Sequence, residues 1–245
     1  MKKMLRRVKA VSNLIFKVAI NTVRGKYFPP IFIPLNYLKR YTLNWSIHVS
    51  WLYRDDSYNT DKPTIYLKER IDAYIEEIKL KKCFYYGKTD TFLYRALEKY
   101  SVNNKSVAII GSTEPIYESV CLSYGGKPTT VEQYKKILLF LMRHFRFHPC
   151  EHDGLGRYGD KLNPDGDLEK MEYTKKMIRP RGLLYLAVPI GKDCSVWNLH
   201  RIYGRIRLPL LLNQWDLVDS FGFNEDMLDL DSDENRQPVF VLKNK

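Results

Sequence analysis

The amino-acid sequence predicts an α/β protein built on an open, mostly parallel sheet. Two observations carry this. Short, fully apolar runs such as "SVAIIG" (106–111) and "GLLYLAVP" (182–189) have the length and composition of buried strands. Between them lie segments of helical periodicity, and strands alternating with helices imply parallel pairing and right-handed crossovers. The 245 residues, 44% of them apolar, suffice for one sizeable core.

The chain opens with "MKKMLRRVKAVSNLIFKVAINTVRGKYFPP". Residues 1–54 hold eleven Lys/Arg and no Asp or Glu, and the remainder carries 29 basic against 28 acidic residues, so the net charge of +12 belongs to the arm. The apolar stretch 10–23 is interrupted by Lys17 and is shorter than the ~20 residues of a spanning helix. It has no small-residue cleavage site of a secretory signal. Val8, Val11, Ile15 and Val18 recur at helical spacing among Lys and Arg, so residues 1–24 read as a basic amphipathic helix able to meet an anionic membrane surface or to pack on the domain. Nucleic acid is not expected as a partner, since a basic run without zinc-finger spacing or ribonucleoprotein aromatics is weak support. The four cysteines show no C-x-x-C, which argues against a disulfide framework and a metal site and fits a reducing, cytoplasmic location.

"FPPIFIPL" (28–35) reads as an extended linker, because closely spaced prolines forbid helix. It divides an arm, residues 1–36, from a domain, residues 37–245, whose lead-in over 37–105 is expected to be helical. The periodicity predicts helices over 64–80 and 89–100. "SVAIIG" is the first strand, "IYESVCLSYGG" a helix closed by Gly125 and Gly126, and "PTTVE" a second strand ending in Glu132. "DLEKMEYTKKMI" predicts a helix over 167–178, with Asp167 as its N-cap and Pro180 beyond its end. "GLLYLAVP", "WDLVDSFGF" and "PVFVL" supply later strands, and the acidic "NEDMLDLDSDE" a solvated loop.

"EHDGLGRYGD" (151–160) spells G-x-G-x-x-G, yet "DKLNPDGD" follows it where a dinucleotide fingerprint needs a helix. Its glycines therefore read as turns exposing Arg157, Tyr158 and Asp160. The nucleoside loop falls on "IIGSTEP" instead, at the carboxyl end of the first parallel strand, where ligands of open α/β sheets bind. There Gly111 permits close backbone approach, Ser112 offers a hydroxyl, and Glu132, 21 residues on, is placed to accept ribose hydroxyls.

Three blocks, "SVAIIGSTEPIYESVCLSYGGKPTTVE", "EHDGLGRYGDKLNPDGDLEKMEYTKKMIRPRGLLYLAVPIGKD" and "VWNLHRIYGRIRLPLLL", resemble an uncharacterised family best known from Caenorhabditis nematodes. That family is in turn similar to class I S-adenosylmethionine-dependent methyltransferases. The resemblance implies a Rossmann-like methyltransferase sheet and S-adenosylmethionine as cofactor, held by Gly111, Ser112 and Glu132. It places Glu151 and His152 at the mouth of the cofactor site, with Arg157 and Tyr158 on the side of an unknown methyl acceptor. Glu151, His152, Asp160 and His200 are the candidates for a catalytic base. Two departures stand out. "RPRG" replaces the Lys-Pro-Gly-Gly of familiar members, and only 18 residues separate Glu132 from Glu151, enough for one helix and one short strand. The sheet is therefore expected to lack its third strand, and cofactor binding to be weak or absent. The rival reading is a non-catalytic interaction protein held by its basic arm at a membrane or acidic partner.

Overall fold

Leu183–Ala187 alternates strictly: Tyr185 and Ala187 face one side, Leu184 and Leu186 the other, and all four are buried. Val239 and Val241 join the first face and Phe240 and Leu242 the second, so a sheet two residues in period is covered on both sides. That layer organises the protein. The structure, a computed structural model, describes residues 29–57, 66–110, 112, 114–131, 150–231, 233 and 235–245.

In chain order the elements are α1 (Leu35–Tyr41), β1 (His48–Leu52), α2 (Lys68–Lys79), α3 (Lys88–Lys99), β2 (Ser106–Ile110), α4 (Ile116–Ser123) and β3 (Lys127–Val131). A 3₁₀ turn at Cys150–His152 leads to α5 (Gly166–Met177), β4 (Leu183–Ala187), β5 (Cys194–Asn198), β6 (His200–Ile202), α6 (Arg207–Leu212), β7 (Trp215–Phe221) and β8 (Val239–Asn244).

The first core face takes α3 through Leu93, Tyr94, Ala96 and Leu97, whose spacing is that of a helix stripe, together with Val120 and Cys121 of α4 and Val107 and Ile109 of β2. The second takes Met171 of α5 and Leu208 and Leu211 of α6. Each such side chain contributes about 1.5–3 kcal/mol by leaving water. A third cluster joins Ile33, Tyr41, Leu155 and Trp197. The described part of the Pro-rich stretch bends at Pro29, Ile31 and Phe32, gives way to α1 at Leu35, and is packed on the domain: the Trp197 indole donates to the Pro30 carbonyl at 3.2 Å.

The α/β class is observed, and the sheet is only partly parallel. β2 and β3 pair in parallel, as expected, with Ile110 opposite Val131. β1 and β5 are also parallel, whereas β4 with β8, β7 with β8, and β5 with β6 are antiparallel. The expectation of a mostly parallel sheet is corrected to this mixture. The antiparallel pairs are formed by β7 and β8, joined through the Glu225–Asp229 3₁₀ segment, by β8 beside β4, and by β5 and β6, joined by the single residue Leu199.

The expected helical lead-in is corrected too, because β1 lies within it. His48–Leu52 is an outer strand with little burial, so no apolar alternation marks it. Asp167 is not the N-cap of α5. Asp165 holds that position, and Asp167 turns inward, fully buried, toward Arg207. The arm over 1–28, and the segment 132–149 on which the third-strand expectation rests, lie outside the described residues.

Candidate functional site

The site grows from the loop 150–165, and glycine makes its path available. Gly154, Gly156 and Gly159 have φ of 81°, 80° and 80°, values that side chains strain to adopt. The turns close on Asp160, whose carboxylate accepts the amides of Gly154 at 2.7 Å, Gly156 at 3.3 Å and Tyr158 at 3.4 Å. Asp160 is thereby engaged in holding the loop, and burial still raises its pKa above the ordinary carboxylate value. The glycines bend the loop and do not open a helix, in keeping with the reading of G-x-G-x-x-G as turns.

Three anchors hold this loop from behind. Tyr41 donates its hydroxyl to the Gly154 carbonyl. Arg201 of β6 donates to the carbonyls of Asp153 at 2.7 Å and Glu151 at 3.3 Å. Arg207 of α6 donates to that of Pro164 at 2.7 Å. Both guanidiniums are buried, and Asp167 lies between them: Arg207 grips both of its oxygens, Nε to Oδ2 at 2.8 Å, and the Tyr203 hydroxyl donates to Oδ2 at 3.0 Å. Burial alone would raise the Asp167 pKa. Arg201 and Arg207 outweigh it and hold the carboxyl below its ordinary range.

On that frame the 3₁₀ turn presents Glu151 and His152. His152 Nδ1 is hydrogen-bonded to the Leu199 carbonyl. A carbonyl only accepts, so Nδ1 carries the proton and Nε2 keeps its lone pair, 3.9 Å from Glu151 Oε1. The His152 ring stands edge-on to Tyr158 at 5.8 Å and to His200 at 6.1 Å. Burial drives its pKa down to about 3, so the imidazole is neutral throughout the physiological range and serves as a hydrogen-bond acceptor better than as a proton store. Arg157 lies over the Tyr158 ring and pairs with Asp56, Nε to Oδ2 at 2.7 Å.

This shift has a consequence for stability. The unfolded chain takes up a proton below the ordinary imidazole pKa of 6.5, and the folded chain does not until about 3. The contribution is therefore complete above pH 6.5 and lost as pH falls toward 3, by at most about 1.4 kcal/mol per unit. His152→Asn, whose amide can still donate to Leu199, is expected to flatten the fall in denaturation midpoint between pH 6.5 and 4. An unchanged slope would contradict the assignment.

The loop after β2 is built separately. Ser112 donates its hydroxyl to Glu118 Oε2 at 2.8 Å, and Thr130 of β3 donates to Glu118 Oε1 at 2.7 Å. A buried carboxylate thus ties the carboxyl ends of β2 and β3 together. Tyr66 donates to the Ser112 carbonyl at 3.0 Å, and Arg70 pairs with Glu114 at 2.6 Å, so α2 and the segment before it cover this loop. Gly111 and Glu132 lie outside the described residues.

Tyr86 packs against the start of α4. Its ring lies 6.2 Å from that of Tyr117, in the first turn of α4, which donates to Asp90 at 3.1 Å. Burial raises the Tyr86 pKa, and the neighbouring Glu151 and Tyr158 raise it further. Glu151, His152, Tyr158 and His200 are thus brought together around the His152 ring, and Ser112 belongs to the separate loop fixed by Glu118. Tyr86, Tyr117, Arg201 and Arg207 were not singled out from the sequence. "NLHRIYGRIRL" did alternate His200 and Ile202 against Arg201 and Tyr203, a strand signal that was available. Among the described residues no group of three or more His, Cys, Asp or Glu is arranged to hold a metal ion, and no helix is long and apolar enough to cross a membrane.

The described architecture is thus that of an α/β protein with polar groups gathered near the carboxyl ends of two parallel strands. Comparison with known proteins finds a family model matched by slightly less than half of the chain. Residues 129–244 match the family described as "Caenorhabditis protein of unknown function, DUF268", in agreement with the resemblance seen in the sequence. No curated protein matches the chain. Among solved structures, the chain is similar to a Burkholderia thailandensis 1,6-didemethyltoxoflavin-N1-methyltransferase with bound 1,6-didemethyltoxoflavin and S-adenosylhomocysteine, at 13% identity and a TM-score of 0.40 over 76% of this chain and 93% of that one. It is also similar to the N-methyltransferase NodS of Bradyrhizobium japonicum in complex with S-adenosylhomocysteine (12% identity, TM-score 0.35, 78% and 93%) and to TehB from Haemophilus influenzae (8%, 0.38, 62% and 61%). Likeness this distant transfers no residue role.

Proposed function

We propose that this chain is an S-adenosylmethionine-dependent methyltransferase-like protein acting on an acceptor not yet identified. One observation carries the reading. Ser112, just past β2, and Thr130 of β3 both donate to the buried Glu118 carboxylate, which fixes a polar loop at the carboxyl ends of the parallel β2/β3 pair, where ligands of open α/β sheets bind.

The described part of this place suits a nucleoside. It offers the Ser112 loop, fixed through Glu118, and the adjacent Tyr86 and Tyr117 rings. Gly111 and Glu132, which follow the paired residues Ile110 and Val131 in the chain, would complete it. The bound cofactor supplies an electrophilic methyl group. The protein's part is to orient the acceptor and to hold a proton leaving it. Glu151 is the better candidate for that proton. His152, neutral and fixed by Leu199, orients through Nε2. Arg157 and Tyr158 border the acceptor side, and His200 supports the His152 ring.

Calorimetric titration of the full chain with S-adenosylhomocysteine tests this. Weak, saturable binding that disappears in Glu132→Ala is expected, the weakness following from the short segment between Glu132 and Glu151. Absence of heat from a demonstrably folded protein would overturn the proposal.

A further inference from the structure

We infer that the folded stretch from Ile31 to Tyr53 is a docking face for an anionic lipid surface, an inference independent of the methyl-transfer reading. Large apolar side chains concentrate there against water: Ile31, Leu35, Trp45, Trp51, Leu52 and Tyr53 are all exposed, Trp45 by 66%. Trp51 and Leu52 belong to β1, the outer strand of the order β1-β5-β6, Tyr53 follows it, and Trp51 packs edge-on against Phe32 at 5.4 Å.

The turn that presents Trp45 is strained. Leu43, Asn44 and Trp45 have φ of 44°, 57° and 70°, three consecutive left-handed residues and none a glycine, each costing roughly 1–2 kcal/mol. Hydrogen bonds impose this path: Asn44 N–H to the Lys39 carbonyl at 2.8 Å, Ile47 N–H to that of Thr42 at 2.9 Å, and Trp45 N–H to the Thr42 hydroxyl at 3.1 Å. Strain held in order to place an indole in water gains nothing for the core. Held strain of this kind is a mark of functional segments.

Charge selects the occupant. Residues 1–54 carry eleven Lys/Arg and no carboxylate, while the rest of the chain is balanced. Arg40 and Arg54 are paired with Asp165 and Asp56, so the attraction comes from the eight basic residues of 1–28 with Lys39. A second copy meeting this face would bring two such segments together and be repelled. An anionic bilayer attracts them, and indole and aliphatic side chains insert at the level of its headgroups.

Flotation of the full chain with phosphatidylcholine vesicles, with and without phosphatidylserine, tests the inference. The chain is expected to float only with phosphatidylserine. Trp45→Ser combined with Leu52→Ser, both changes at the surface, is expected to weaken partitioning about tenfold or more. Tryptophan emission should shift to the blue on vesicle addition and be quenched by brominated lipid. Trp197 and Trp215 are buried, so this signal belongs to Trp45 and Trp51. Absence of flotation, equal flotation of the variant, or a concentration-dependent dimer that the variant abolishes would each overturn it.

Discussion

Asp167→Asn is expected to destabilise the protein by about 3–5 kcal/mol, the cost of leaving buried charge uncompensated. The substitution preserves shape and removes the single carboxylate set between Arg201 and Arg207, all three side chains being at most 3% exposed. Arg207 then loses its two-point pairing and Tyr203 a charged acceptor. Against a total of about 5–15 kcal/mol for a domain, the loss is a large fraction. The damage should reach the candidate site, because both arginines hold carbonyls of the loop bearing Glu151 and His152. Urea denaturation followed by circular dichroism gives the magnitude. A loss below about 1 kcal/mol would mean that the guanidiniums find other compensation.

Gly154→Ala is the second large effect, and it acts on the backbone. At φ 81° a side chain is strained, and a Cβ there would sit 2.1 Å from the Asn163 carbonyl oxygen, which cannot move without opening the loop. Roughly 2–5 kcal/mol follows from the left-handed conformation and overpacking together. Gly159→Ala is the control. Gly159 has φ of 80° as well, but the nearest atom to its Cβ is the Ser57 Cβ at 3.5 Å, an ordinary contact, so only the conformational part, about 1–2 kcal/mol, is expected. Equal losses for the two variants would show that the contact with Asn163 does not hold the loop.

The sequence made some of this legible. β2, α4, β4 and α3 announced themselves because both faces of the sheet, or one clean helix stripe, are apolar, and burial leaves periodicity as its trace. β3 is largely exposed and was legible through its β-branched Thr129, Thr130 and Val131. β5 is buried throughout but includes Ser195 and Asn198, so it reads as no strand. β1 is exposed and reads as none either. Asp167 carried the local signature of a cap, and tertiary pairing with Arg207 overrode it. Within the candidate site, Glu151, His152 and Tyr158 were visible because one glycine-bent loop gathers them. Tyr86 sits in "FYYGK", where nothing local tells that its ring will lie 6.2 Å from that of Tyr117 in α4. Topology brings it there.

We propose that the carboxyl ends of β2 and β3 and the Glu151–His152 turn form one ligand site. The same titration with S-adenosylhomocysteine, read by hydrogen–deuterium exchange across the full chain, tests it most directly. Slower exchange is expected in two separate peptides, one spanning 110–118 and one spanning 150–160, both lost in Glu132→Ala. Protection confined to one peptide, or to neither in a folded protein, would contradict it.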